Sequence, residues 1–185
     1  MSPVDIEFTQ RWWRRKVADE AALLAFLIKL HRTEWEGMVD NNEAAVRWAK
    51  GDNVASNIFL QTGYDEARHA DLLVPLIEAR GGSVGIGQNP PPSLYWEEMD
   101  KVITSLETCA AVLHVGEQLA ADRFSVMLDM PETPQDIRGF LEEALPDERH
   151  HARVFGKLAG EEAIALVRDH HAATVRRLMG LQGVE

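Results

Sequence analysis

The sequence is poor in cysteine: Cys109 is the only one among 185 residues. A single cysteine excludes an intrachain disulfide and the cysteine clusters of iron–sulfur and structural zinc sites. Such scarcity is typical of intracellular proteins, so we expect a cytoplasmic location. Any metal would be held by oxygen and nitrogen ligands.

Basic residues are also scarce, with 19 Lys and Arg against 30 Asp and Glu and a formal net charge of -11. Binding to nucleic-acid phosphates needs a basic surface, so this balance argues against a nucleic-acid partner. Long apolar runs are missing too. The longest, residues 21–28, is far below the roughly 20 residues that span a bilayer, so we expect no membrane association.

Tyrosine is limited to Tyr64 and Tyr95. On a helix, Tyr64 would point about 200 degrees away from Glu66, which disfavours a tyrosyl-radical role beside that residue. What the chain does contain is 45% apolar and 26% charged residues, a composition typical of a folded globular protein. At this length we expect one domain over residues 1–185.

One short motif occurs twice, as Asp-Glu-Ala-Arg-His at residues 65–69 and as Asp-Glu-Arg-His-His at residues 147–151. On a helix, residues three apart share a face, so each copy directs one Glu and one His the same way. A single copy is usually a surface ion pair with a solvated histidine. Two copies require another explanation.

Each copy follows a glutamate in a similar context, Leu-His-Arg-Thr-Glu at residues 30–34 and Leu-His-Val-Gly-Glu at residues 113–117. The chain therefore carries Glu, Glu-x-x-His, Glu and Glu-x-x-His in order. Four inward-facing helices with these residues form the dinuclear site of ferritin-like bundles.

Through these motifs the chain resembles the ferritin-like di-iron carboxylate superfamily over about residues 15–160. Asp-Glu-x-Arg-His about thirty residues after an acidic residue is similar to the signature of its oxygen-activating hydroxylases and desaturases. The second copy departs from it, with His150 in place of Arg. The resemblance implies two bound metal ions, Fe/Fe with Mn/Fe or Mn/Mn as alternatives, and six ligands: Glu34, Glu66, His69, Glu117, Glu148 and His151.

Further residues are candidates for contacts around these ligands. Asp65 and Asp147 each precede the histidine of their motif by four residues, where a carboxylate could accept the ring N–H that does not face the metal. The resemblance implies that each bond crosses to the opposite helix, with Arg68 orienting the Asp. His31 and His114 lie one turn before a ligand glutamate and could be hydrogen-bond donors, proton relays, further ligands or buried core histidines.

Helical periodicity predicts an all-α four-helix bundle over about residues 11–160 with a short C-terminal helix at about 161–180, and the resemblance implies that this bundle is ferritin-like. The midpoint of Glu34 and Glu66 falls at Lys50-Gly51-Asp52, which predicts the first turn there. Glycine and proline at residues 81–93 predict a long crossover. Further predictions concern single residues and one helix: a helix over about 94–128, an N-cap at Thr133, a kink at Pro146 and a helix end at Gly160.

Three functions compete. The first is an oxidase or monooxygenase that activates O2 to oxidise a small organic substrate, since Gly37, Ala67, Ala110 and Gly116 would leave space near the ligands. Its electrons would come from a separate donor, because nothing resembles a flavin, NAD or rubredoxin module. The second is peroxide reduction or iron oxidation and storage, as in rubrerythrin and bacterioferritin. The third is an interaction protein whose bundle is metal-free or holds metal only as a structural element. The apolar residues 21–28 favour a homodimer.

Overall fold

The computed structural model describes residues 6–85 and 94–182, with the backbone alone for residues 176 and 178–182. These ranges contain six α-helices and no strand, which confirms the all-α, ferritin-like fold. The helices are α1 Ile6–Val17, α2 Glu20–Arg47, α3 Asn53–Glu78, α4 Leu94–Met99, α5 Leu106–Asp129 and α6 Gln135–Gln182.

The bundle consists of two helical hairpins, in which α2 packs against α3 and α5 packs against α6. Contacts between α3 and α6 join the hairpins. The connection between the hairpins includes α4 and a 3-10 turn at Asp100–Val102. Of the predicted crossover, residues 86–93 lie outside the described residues. Within the described ranges, no helix has both the length and the apolar character needed to cross a bilayer.

The first hairpin turn falls where the spacing of Glu34 and Glu66 predicts. Between α2 and α3, Gly51 has φ of 88°, a conformation that glycine adopts without strain. Asp52 then caps α3, with its Oδ1 accepting from the backbone N–H groups of Val54 at 2.9 Å and Ala55 at 3.0 Å. The second turn lies between the end of α5 and the start of α6.

The first predicted helix is in fact two helices. Among the described residues, helical structure is present from Ile6, ahead of the bundle start predicted at about residue 11, and it is interrupted before Glu20. The cause is Asp19, whose Oδ1 accepts from the backbone N–H groups of Ala21 at 2.9 Å and Ala22 at 3.1 Å. A carboxylate in this position starts a new helix, because it satisfies N–H groups that lack partners within the helix.

The predicted helix over residues 94–128 is also divided. Its first part is α4, and α5 begins only at Leu106. Ser105 and Thr108 form a reciprocal capping box, in which each side chain accepts from the other's backbone N–H. This cap explains why α5 begins there.

At the start of α6, within the described ranges, Thr133 does not form the N-cap hydrogen bond that the sequence predicts, because its hydroxyl has other partners. The hydroxyl of Thr133 donates to the carbonyl of Met127 at 2.5 Å and accepts from Nε1 of Trp13 at 2.8 Å, so it joins α1 to the α5–α6 turn. Pro146 lies within helical backbone. The kink at Pro146 stays a prediction. The helix is interrupted at Gly160, where its end was predicted; this residue has non-helical backbone angles with φ of 76°, and the segment after it is the predicted C-terminal helix.

The apolar core has two parts, one on each side of a polar layer. The first includes Leu27 and Leu73, which lie beyond Glu34 and His69 towards one end of the hairpin. The second includes Phe59 and Phe155 at the other end, with ring centroids 5.4 Å apart. The polar layer between these cores contains the residues of the repeated motifs.

The predicted dimer surface is partly covered by the chain itself. Phe26 of α2 packs edge-on against Trp12 and Trp13 of α1, with ring centroids 5.4 Å and 5.3 Å apart. Leu23 and Leu27 belong to the core, whereas Ile28 is exposed. A homodimer stays a prediction.

Candidate metal centre

The six predicted ligands meet in the polar layer and form two groups. Each residue in a group offers one atom, and these atoms lie within 4.8 Å of one another. Both groups contain Glu66. The His69 group consists of Glu34, Glu66, His69 and Glu148, and the His151 group consists of Glu66, Glu117 and His151. All of these residues are buried except Glu117, whose side chain is 11% exposed.

The Nδ1 atoms of the histidines face the carboxylates. Nδ1 of His69 lies 3.3 Å from Oε1 of Glu148 and 3.5 Å from Oε2 of Glu34. Nδ1 of His151 lies 3.4 Å from Oε1 of Glu66 and 3.9 Å from Oε2 of Glu117. The two rings are 6.3 Å apart between centroids, so the groups are adjacent.

The other nitrogen of each ring contacts an aspartate of the opposite motif. Nε2 of His69 lies 3.3 Å from Oδ2 of Asp147, and Nε2 of His151 lies 3.2 Å from Oδ2 of Asp65. Both contacts cross between α3 and α6, as the resemblance implied. An Nε2–H group that donates to the aspartate leaves the Nδ1 lone pair directed at the glutamates.

Four buried atoms at the centre have no hydrogen-bond partner: Oε1 of Glu66, Oε1 of Glu148 and Nδ1 of both histidines. In the tautomer described above, these atoms present lone pairs to one another. Buried polar atoms are almost always satisfied, and two bound cations, one in each group, would satisfy these four. The residues therefore fit a metal centre.

Without a cation, the carboxylates disturb one another's protonation. Burial raises the pKa of Glu34 and of Glu117 well above the usual value, and the charge of Glu66 raises both further. Glu66 keeps a lowered pKa despite its burial, because His151 favours its charged form. Protons would then occupy the place of a metal.

The histidines show the corresponding effect. Burial acts to lower the pKa of His69, but Glu148 and Glu34 outweigh it and raise the pKa to about 11. The pKa of His151 is also raised, chiefly by Glu66 acting against burial. Each ring is thus placed where positive charge is favoured, which a metal ion bound to a neutral imidazole would supply.

The two aspartates differ in their other contacts. Nη2 of Arg68 donates to Asp147, and Nη1 donates to Oε1 of Glu143 at 2.7 Å. Glu143 was not predicted from the sequence as a residue of this site, although it lies four residues before Asp147 and therefore on the same helical face. At the equivalent position to Arg68, His150 is exposed and its Nδ1 contacts Nη2 of Arg153 at 3.2 Å.

His31 and His114 lie outside the two donor groups. Nδ1 of His114 is 2.7 Å from the carbonyl of Ala152, and Nε2 is 3.3 Å from Nη2 of Arg168. These contacts fit the core histidine that the sequence left open. Burial lowers the pKa of His31, and the charge of Asp71 acts against that shift.

The glycines near the centre face protein side chains. A Cβ atom added to Gly37 would lie 3.2 Å from Oε2 of Glu66, and one added to Gly116 would lie 3.3 Å from the ring of Trp96. Ala110 is fully buried in the second apolar core. The small size of the two glycines accommodates a carboxylate and a tryptophan, so these two positions do not provide space for an organic substrate.

Comparison with known proteins identified one family. The family model described as rubrerythrin matches residues 34–159, which include all six residues of the two donor groups. Neither the curated proteins nor the solved structures gave a match.

Proposed function

The chain belongs to the rubrerythrin family, and from this premise we propose that it binds two iron ions and reduces hydrogen peroxide or O2. The observation that carries the proposal is the set of four unpartnered buried atoms, contributed by Glu66, Glu148, His69 and His151. They belong to the two groups that would each hold one ion.

The donor set favours iron or manganese. Carboxylates and imidazoles suit these borderline divalent ions, whereas the centre has none of the thiolates typical of tetrahedral structural zinc. Two divalent ions would also offset the charge of four carboxylates, those of Glu34, Glu66, Glu117 and Glu148. Iron is the metal we propose, with Mn/Fe and Mn/Mn as the alternatives that metal analysis would identify.

Iron would supply electrons that carboxylates and imidazoles cannot provide. Reduction of one hydrogen peroxide molecule to two waters requires two electrons and two protons, and the electrons would come from a separate donor. The chain's own contribution is to hold and orient the ligands. Asp147 and Asp65 fix the two imidazole rings, and the flanking apolar cores restrict access of water to the centre.

Among the specific reactions of a di-iron centre, we favour peroxide reduction or the oxidation of iron itself. Both need access only for a small oxidant or a metal ion. The close approach of Gly37 to Glu66 and of Gly116 to Trp96 is consistent with that limited space. Family membership supports the same choice.

A second candidate is O2 activation for oxidation of a small organic substrate. It is favoured by the contacts of the complete motif, in which Arg68 binds Asp147 and Asp147 contacts His69. This arrangement matches what the resemblance to oxygen-activating enzymes implied. The third function, an interaction protein, would leave the buried carboxylates without compensation if its bundle were metal-free.

Rapid mixing would separate these functions. Protein loaded anaerobically with two ferrous ions per chain would be mixed with hydrogen peroxide or with O2, and oxidant consumption would be followed. Faster reaction with peroxide supports peroxide reduction, and turnover of many added ferrous ions with a ferric mineral supports iron oxidation. Faster reaction with O2 that is accelerated by an organic compound supports the second candidate. Less than one bound metal per chain after reconstitution would refute all metal-dependent functions.

A further inference from the structure

We propose that the two metal positions differ in affinity, with the His69 group holding its ion tightly and the His151 group holding an exchangeable ion. This inference rests on the proposed function only for the identity of the metal. It concerns a property of this chain that arises from the unequal motifs, Asp-Glu-Ala-Arg-His and Asp-Glu-Arg-His-His.

The surroundings of the His69 group are fixed by a network of charged side chains. Arg68 donates to Asp147 and, at 2.7 Å, to Glu143. The same Nη2 atom lies 3.5 Å from Nε2 of His69. One guanidinium therefore holds the carboxylate against the imidazole from a planar, rigid group of donors.

The His151 group has no equivalent network. Asp65 contacts Nε2 of His151, and within the described ranges it has no second hydrogen-bond or ion-pair partner. His150, at the position of Arg68, is turned to Arg153. At the position equivalent to Glu143, four residues before the aspartate, stands the neutral Gln61.

Net charge does not explain a difference between the two surroundings. Arg68, Asp147 and Glu143 together carry one negative charge, and Asp65 by itself also carries one. What differs is how firmly the aspartate is held. Partners of this kind orient a metal-bound histidine, and their loss typically lowers metal affinity about 10- to 100-fold.

The donor sets differ in the same direction. The His69 group brings four donor atoms together, all from buried residues, whereas the His151 group brings three. Glu117, which belongs only to the His151 group, has the most exposed side chain of the six, at 11% against 7% for Glu34 and Glu66. Fewer protein donors leave more coordination positions for water and favour exchange.

Unequal affinity has a consequence for activity. If each bound ferrous ion supplied one of the two electrons that peroxide reduction requires, a chain with a single ion would be inactive in this reaction. At metal concentrations between the two dissociation constants, most chains would contain one ion. Activity would then follow occupancy of the His151 group.

Titration with Co²⁺ under anaerobic conditions tests the proposal, because its binding gives visible absorption and calorimetric signals. For the unmodified protein we expect two steps, the first at least about tenfold tighter than the second. His69→Ala should remove the tight step and His151→Ala the weak one. Two equal steps, or loss of the tight step in His151→Ala, would overturn the proposal.

Exchanging the motifs provides matched variants. Arg68→His copies the second motif into the first and should weaken the tight step about tenfold, while Arg68→Lys should retain part of the affinity. The double variant Gln61→Glu, His150→Arg copies the first arrangement into the second and should strengthen the weak step by a similar factor. Weakening of both steps alike by Arg68→His, or no effect of the double variant, would contradict the inference.

Folding defects can be recognised separately. Circular dichroism melting of each variant without metal shows whether Arg68→His changes the bundle. If it does, Glu143→Gln serves instead, since it removes one partner of Arg68 and should weaken the tight step alone; an unchanged tight step would count against the inference. Protein that binds Co²⁺ unequally but fails to reduce peroxide with iron would refute the proposed function and leave the inference intact.

Discussion

Asp147 contacts a histidine of the opposite helix rather than that of its own motif, with Oδ2 3.3 Å from Nε2 of His69. Asp65 contacts His151 in the same crosswise manner. Each motif therefore contributes a glutamate and a histidine to the donor groups, and its aspartate accepts a hydrogen bond from the histidine of the other motif. The two copies support each other's geometry.

The crosswise contact predicts which metal position responds to a change at Asp147. Asp147→Asn keeps an oxygen acceptor but removes the charge that strengthens the bond from the imidazole. Affinity of the His69 group for Co²⁺ should fall about tenfold or more. Asp122→Asn is a matched control, since Asp122 accepts from Gln118 of the same helix at 2.9 Å and lies outside both donor groups. An equal loss in the control would contradict the assignment.

Stability of the metal-free protein should fall as the pH rises. Glu34 and Glu117 have a higher pKa in the folded state than the ordinary 4.5, so the stability they contribute is lost as the pH rises above that value. For His69, the loss extends from 6.5 to about 11. Glu66, whose pKa is lowered, has the opposite effect at acidic pH.

Melting temperatures measured from pH 5 to pH 9 with and without metal check this prediction. The metal-free protein should melt at progressively lower temperature, and bound metal should remove most of that trend because the ligands no longer exchange protons with the solvent. Identical melting of the two forms at every pH would show that the buried carboxylates do not interact as described.

The repeated motif was enough to predict both the fold and the residues that meet at the centre. The equal spacing of Glu34 and Glu66 from residue 50 located the first turn, because ligands at one height on antiparallel helices are equidistant from it. This argument needs only the number of residues between the two glutamates, which the sequence gives.

Helix starts within apolar runs were harder to predict. Asp19 and Ser105 interrupt continuous periodicity by capping backbone N–H groups, and either residue could also occupy an exposed helical position. The contact of Arg68 with Glu143 was missed for a different reason. It joins α3 to α6, and the pairing of side chains across helices depends on packing that no local pattern encodes.

The bond between Trp13 and Thr133 predicts a measurable effect on stability. Nε1 of Trp13 is fully buried and donates to the Thr133 hydroxyl at 2.8 Å. Thr133→Val would leave that donor unsatisfied and should lower the free energy of unfolding by about 1–3 kcal/mol. Thr33→Val, at an exposed position on α2, should change it by about 0.5 kcal/mol or less. Chemical denaturation measures both, and equal effects would contradict the role of this bond.

Gly160 should resist substitution because its φ is 76°. Gly160→Ala should cost about 1–2 kcal/mol, since a side chain with a Cβ is strained in this conformation. Gly139 offers a control within the same helix, because a Cβ there would meet open space and no positive φ is required. Gly139→Ala should stabilise the protein by about 0.5–1 kcal/mol. Chemical denaturation measures both changes. If both variants changed the free energy of unfolding in the same direction, the positive φ at residue 160 would not be required.

Substitution of Gly37 tests the role of the small residues near the centre. A Cβ atom at this position would lie 3.2 Å from Oε2 of Glu66, so Gly37→Ala should displace that carboxylate by a few tenths of an ångström. Because Glu66 belongs to both donor groups, both steps of Co²⁺ binding should weaken, by about tenfold. Helicity of the metal-free protein should be kept, since alanine favours helix formation more than glycine does. If Gly37 instead borders space for an organic substrate, the variant would bind Co²⁺ normally and lose only the acceleration of oxygen consumption by that substrate, and our assignment of Gly37 to Glu66 would be wrong.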